Sequence, residues 1–211
     1  DALPATNALI IYLCSPNNPT ASPTSADTIR RIIAHARGLV IVDEAYVDFT
    51  GLPGLLADAP GLERVVVCRT LSKAYGLAGL RVGYGVAAPK VAEIIEKSRG
   101  PFKLNMMAER AAVEALTTDA AWVAARAREA VENRDRRAAE LRAMGFAPLP
   151  SAANFLLVPT ANAFALAESL HEKGISIRAF RALRNIGDAF RITAAPWPVM
   201  ERALSALRAA V

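Results

Sequence analysis

Val65-Val66-Val67-Cys68-Arg69-Thr70-Leu71-Ser72-Lys73-Ala74-Tyr75-Gly76-Leu77-Ala78-Gly79-Leu80-Arg81 begins as an apolar, β-branched run of the length of a buried strand. It turns at once into a segment of glycine, alanine and hydroxyl side chains. The change predicts a strand that ends in a tight loop. That loop carries a primary amine, Lys73, among the hydroxyls of Thr70 and Ser72, with the guanidinium of Arg81 further along, and Gly76 and Gly79 allow close backbone approach to a ligand. Taken alone, the loop is either a nucleophile beside an anion site or an ordinary surface lysine. The surrounding strands decide between these.

Upstream, the aliphatic run at 39–42 reads as a second buried strand and leads directly into Asp43-Glu44-Ala45-Tyr46. A carboxylate at the end of such a run is costly to bury unless a cation or several donors meet it. A cationic ligand atom would satisfy Asp43, and a helix N-cap at Asp43 is the alternative. Residues 8–13 read as a further strand, ending in Cys14-Ser15-Pro16-Asn17-Asn18-Pro19-Thr20, where turn chemistry alone accounts for both asparagines. Residues 25–36 show helical spacing (Ile29, Ile32, Ile33), with Ser25 or Asp27 as cap and Gly38 closing the helix, as in a βαβ crossover. Residues 82–87 predict a fourth strand. Three successive strands thus end in Asn17 or Asn18, in Asp43 with Tyr46, and in Lys73 with Arg81. Ligands of open α/β sheets bind at such carboxyl ends, and independent turns would not require this convergence.

Further on, 89–98 and 105–116 read as helices, and 119–144 is a long alanine-, arginine- and glutamate-rich helix whose charges form a solvated face. After Gly145 the pattern changes to a strand at 154–158, a helix at 161–173, short strands at 175–178 and 190–193 and a helix at 198–210. This is the order of a small α+β domain. Arg178 and Arg191 each fall on one of its short strands, as solvated or anion-binding groups. His35 and His171 lie on helices and are read as structural or solvated.

The chain has 211 residues, 53% apolar and 21% charged, with a formal charge of +5. That suffices for one large or two modest domains. The basic residues are dispersed along helices rather than clustered with aromatics, which argues against nucleic-acid binding. No apolar run has the length of a membrane span, and the start Asp1-Ala2-Leu3-Pro4 lacks the pattern of a signal peptide. Cys14 and Cys68, in or beside strand-like runs, are read as buried thiols of a cytoplasmic protein.

Three motifs together resemble the pyridoxal-phosphate aminotransferases of fold type I and, within them, the histidinol-phosphate aminotransferases. Thr70-Leu71-Ser72-Lys73-Ala74-Tyr75-Gly76-Leu77-Ala78-Gly79 is similar to the class-II lysine signature. Ser15-Pro16-Asn17-Asn18-Pro19-Thr20 is similar to the family's asparagine-proline turn, and Val42-Asp43-Glu44-Ala45-Tyr46 to its aspartate-tyrosine element. The resemblance continues through Arg81, residues 151–156, Arg178 and Arg191. It implies an α/β fold in which 1–118 is the C-terminal part of a large cofactor-binding domain with a mostly parallel sheet, 119–144 a linking helix and 145–211 a small α+β domain. It also implies that the chain corresponds to a C-terminal portion of such an enzyme.

By that resemblance the cofactor is pyridoxal 5'-phosphate, bonded covalently through its aldehyde to Lys73. Asp43 would pair with the pyridinium nitrogen, Asn18 and Tyr46 would reach the ring oxygen, and Arg81 with Thr70 and Ser72 would hold the phosphate. Arg178, Arg191 and Asn154 would meet the substrate. The implied reaction transfers an amino group between small molecules, L-histidinol phosphate and 2-oxoglutarate, in a homodimer. Alternatives are an aromatic amino-acid aminotransferase, a threonine-phosphate decarboxylase or a non-catalytic sensing module. Two positions depart from the pattern: Ala21, where the turn usually has glycine, and Ala194-Ala195-Pro196-Trp197 after Arg191.

Overall fold

Runs of Ile, Leu and Val bounded by turn residues form the first strands. In the computed structural model, which describes residues 7–101 and 103–210, β1 (Ile10–Cys14), β2 (Leu39–Asp43) and β3 (Val65–Thr70) pair in parallel. β4 (Gly83–Ala87) adds antiparallel to β3, giving the order β1-β2-β3-β4. The crossover helix α1 (Ala26–His35) starts where the Ser25 hydroxyl accepts the Thr28 N–H at 3.2 Å. Its Ile29 packs with Val40, Val42, Val65 and Val67 on one face of the sheet. Each such side chain contributes roughly 1.5–3 kcal/mol on burial. Gly38, expected to close α1, serves the sheet instead. A Cβ there would lie 2.3 Å from the Leu9 carbonyl oxygen, so the residue permits the close approach of β1 and β2. Ala36 is the C-cap.

After β4 come α2 (Pro89–Ser98) and α3 (Met106–Thr117). The alanine face of α3 (Ala108, Ala112, Ala115) packs against Leu71 and Val82, which anchors both ends of the lysine loop. The long helix α4 (Ala120–Ala143) follows.

The chain divides into two units: unit 1 runs to Asn17 and resumes over Pro23–Ala125, and unit 2 takes Asn18–Ser22 and everything from Arg126. Unit 2 contains β5 (Phe155–Pro159), α5 (Ala163–Glu172), β6 (Arg178–Leu183), β7 (Gly187–Thr193) and α6 (Trp197–Arg208). Its sheet is antiparallel in the order β5-β7-β6. Leu156, Val158, Phe190 and Ile192 form its inner face and pack on Leu166, Leu170, Leu204 and Leu207, with Ala138 and Leu141 from α4. Phe146 meets Phe190 edge to face at 5.7 Å.

Most elements lie within a couple of residues of their expected places. One strand does not. The strand expected at 175–178 begins at Arg178 and runs to Leu183, and its partner extends back to Gly187. A hairpin turn explains this: Asn185 has φ 61°, and the Asp188 carboxylate accepts the Ala182 N–H at 2.8 Å. Ile175 and Ile177, expected within that strand, instead pack against the unit 2 core. Residues 1–4, read for a signal peptide, lie outside the described residues. Among the described residues no helix is long and apolar enough to cross a membrane.

Candidate functional site

In unit 1 the carboxyl end of β2 carries two acidic residues with opposite fates. Glu44 is 3% exposed and neutralised: Arg69 donates to Oε2 from Nε at 2.9 Å and from Nη2 at 2.8 Å, and the Leu55 N–H donates to Oε1 at 2.6 Å. Asp43 forms no ion pair among the described residues. Its Oδ1 accepts the Ala45 N–H at 2.9 Å, a local turn rather than a helix cap, and its Oδ2 accepts the Tyr12 hydroxyl. The Cys68 thiol, opposite Asp43 in the β2–β3 register, is pushed up by desolvation and then by that carboxylate. Cys14 and Cys68 are half-buried thiols.

Tyr46 is buried, and the Lys73 Nζ lies 5.5 Å from its ring centroid. Lys73 itself is exposed. Its loop is an excursion of the β3–β4 hairpin, closed by the Leu71 N–H on the Val82 carbonyl at 3.2 Å. The Thr70 hydroxyl accepts the Ser72 N–H at 3.1 Å, and Gly76 turns the chain at φ 71° after donating to the Lys73 carbonyl. Arg81 ends a short 3₁₀ turn in the left-handed conformation, φ 55°, its exposed guanidinium donating to the Ala78 carbonyl at 2.8 Å. Thr70, Ser72, Lys73 and Arg81 therefore all belong to the two ends of one closed loop.

Unit 2 gathers a different set. Arg178 and Arg191 are cross-strand neighbours on β6 and β7. The Arg191 guanidinium stacks 5.1 Å from the Phe155 ring centroid and donates from Nη1 to the Asn18 Oδ1 at 2.5 Å. Arg178 lies 5.9 Å from the Phe180 ring. Asn154 is half-buried, and its carbonyl accepts the Ala194 N–H at 2.7 Å. Ala21, which stands where glycine is usual, is fully buried at φ 59°, and its carbonyl accepts the Ala152 N–H at 2.9 Å. That positive φ is the physical reason for the usual glycine.

Three features of the fold were not singled out from the sequence: Tyr12 on Asp43, the Glu44–Arg69 pair and Arg137. Strand parity was the available signal for the first two. Tyr12 and Asp43 share a face once Cys14 is set opposite Asp43, and Arg69 follows the residue opposite Asp43. Arg137, on α4, is 2% exposed with its Nη1 on the Thr193 carbonyl at 3.1 Å and its Nε without a hydrogen bond. Burial pushes this guanidinium down to about 10. No grouping of His, Cys, Asp and Glu suited to a metal occurs among the described residues.

Known proteins share both sequence and fold with this chain. A histidinol-phosphate aminotransferase of Caldanaerobacter subterraneus subsp. tengcongensis is 36% identical over 200 residues, which are 94% of this chain and 56% of that protein. An aromatic amino acid aminotransferase of Mycobacterium bovis is 43% identical over 157 residues, 71% of this chain and 44% of that protein. The crystal structure of histidinol-phosphate aminotransferase from Sinorhizobium meliloti in complex with pyridoxal-5'-phosphate superimposes with a TM-score of 0.88 at 29% identity, covering 99% of this chain and 59% of that one. The chain thus spans a little over half the length of these histidinol-phosphate aminotransferases. The profile of aminotransferase class I and II matches residues 1–207, and the chain belongs to that family.

Proposed function

We propose that the full-length protein is a pyridoxal 5'-phosphate-dependent aminotransferase that exchanges an amino group between L-histidinol phosphate and 2-oxoglutarate. The observation that carries this is the contrast at the end of β2: Glu44 already has its cation, while Asp43 keeps a carboxylate at the ligand-binding end of the sheet with no ion pair among the described residues. A protonated ring nitrogen would supply such a cation.

The donor set fits the cofactor. Lys73 offers a primary amine able to condense with an aldehyde. Arg81, Thr70 and Ser72 offer a guanidinium and hydroxyls for a phosphate, and Asn18 and Tyr46 offer an amide and a phenol for the ring oxygen. When bound, pyridoxal phosphate supplies the electron sink that stabilises a carbanion at the substrate's Cα. The work of the chain is to hold and to move protons. Asp43 would pair with the ring nitrogen and hold its proton in place, and the Lys73 amine would carry the proton from the substrate's Cα. Arg178 and Arg191 bind the substrates' phosphate and carboxylate, with Asn154 beside them on the same unit.

We assign 1–118 to the C-terminal part of the cofactor-binding domain, 119–144 to a linking helix and 145–211 to the small domain. The protein acts as a cytoplasmic homodimer in histidine biosynthesis. The assignment to histidine biosynthesis is supported by the relatives named histidinol-phosphate aminotransferase. The 43% identity to an aromatic amino acid aminotransferase favours a second reading, with an aromatic amino acid as donor. Borohydride reduction of the full-length protein followed by peptide mapping should place a pyridoxyl group on Lys73. Spectral half-reactions with histidinol phosphate and with phenylalanine then separate the two donors. Absence of the adduct overturns the proposal, and carbon dioxide release would mark a decarboxylase.

A further inference from the structure

We propose that Tyr12 is a positioning residue for Asp43, holding its carboxylate for the ring nitrogen; this rests on the cofactor role proposed for Asp43. The parallel register sets Cys14 opposite Asp43 and Tyr12 opposite Ile41, so Tyr12 is the diagonal neighbour of Asp43 on the same sheet face. The two donors divide the carboxylate between them: the Ala45 N–H takes Oδ1 at 2.9 Å and the Tyr12 hydroxyl takes Oδ2. An ionised carboxylate has about four acceptor sites, so both oxygens retain capacity for a further N–H.

Tyr12 also approaches from the useful side. It sits one step toward the amino ends of the strands, whereas ligands of such sheets lie beyond the carboxyl ends. The phenol therefore grips the carboxylate and leaves the ligand's approach clear. Held through both oxygens, the carboxylate is fixed in orientation for an N–H of the cofactor ring. Desolvation, with Asp43 next, raises the Tyr12 phenol above its ordinary value, so it remains a donor at neutral pH. Tyr12 is 60% exposed, so burial of its ring contributes little, and the hydroxyl is what distinguishes it from phenylalanine. Arg69 cannot take this part, being committed to Glu44 and the Pro53 carbonyl.

The test is a double-mutant cycle on the dissociation constant for pyridoxal 5'-phosphate in the full-length protein, using Tyr12→Phe, Asp43→Asn and both together. Tyr12→Phe should weaken binding about tenfold when Asp43 is present and have no effect in the Asp43→Asn background. Equal losses in both backgrounds would mean packing alone, and no loss with Asp43 present would mean no role; either overturns the inference. If the wild-type protein fails to bind the cofactor, the proposed function falls and takes this inference with it. Binding without coupling sinks only the inference. Should Tyr12→Phe not fold, ultraviolet titration of the tyrosines decides instead. Asp43→Asn must then bring one phenol down toward the ordinary value of about 10, and an unmoved phenol overturns the contact.

Discussion

Units 1 and 2 each bury a charged side chain, on different terms. In unit 1, Glu44 is met by both a guanidinium and a backbone amide, so its charge is neutralised where it lies. In unit 2, Arg137 is equally buried but has a carbonyl for a partner, an unpaired Nε and no ion pair among the described residues. A paired buried charge pins two elements together, and an unpaired one carries its desolvation cost undiminished. The same distinction separates Glu44 from its neighbour Asp43. Of two acidic residues side by side, the one that lacks a cation is the one to assign to a ligand.

Four substitutions test this contrast. The largest effect is expected for Lys73→Ala, which removes the proposed attachment point and proton carrier. Turnover of the full-length protein should fall by at least about 10²–10⁴-fold, with the fold intact by circular dichroism. Turnover near wild type would remove Lys73 from the chemistry. Glu44→Ala should cost about 3–5 kcal/mol in denaturant unfolding, because it strands Arg69 and the Leu55 N–H. A loss below about 1 kcal/mol would show that the pair is as dispensable as a surface ion pair.

Arg137→Met should do the opposite and raise stability by about 1–3 kcal/mol at neutral pH. Linkage fixes the sign of its pH dependence. The folded-state value, about 10, lies below the ordinary arginine value, so the unfolded chain binds more protons between them. Wild-type stability should therefore gain on the Arg137→Met variant as pH rises above about 10. A destabilised Arg137→Met protein would indicate an anion paired with this arginine in the full-length protein. The smallest effect is expected at Ala21, whose left-handed backbone costs a residue with a Cβ about 1 kcal/mol. Ala21→Gly should recover part of that in a thermal melt, offset by the lost methyl burial.

Much of the candidate site is legible along the chain. Asp43, Lys73 and Asn18 each come after a β-branched or aliphatic run read as a strand, and a strand's end is a local property of the chain. Gly38 departs from its expected role for the same reason: helix closure is the local role of a glycine, and its contact with the Leu9 carbonyl comes from elsewhere in the sheet. The strand expected at 175–178 begins only at Arg178, because a short apolar stretch reads alike whether it pairs in a sheet or packs against a core.

Sequence alone determined which residue types stand at the strand ends, and with them a primary amine, a carboxylate and a guanidinium in the order of an aminotransferase. Hydrophobic period and turn chemistry act over a few residues, so they can be read along the chain. Only the tertiary structure decided the partners. Glu44 and Arg69 are 25 residues apart, Tyr12 and Asp43 31, and Asn18 and Arg191 173. Strand register sets the first two meetings, and the folding of the Asn18 turn with unit 2 sets the third. Each is fixed by the cooperative packing of whole sheets, which no local stretch of sequence encodes.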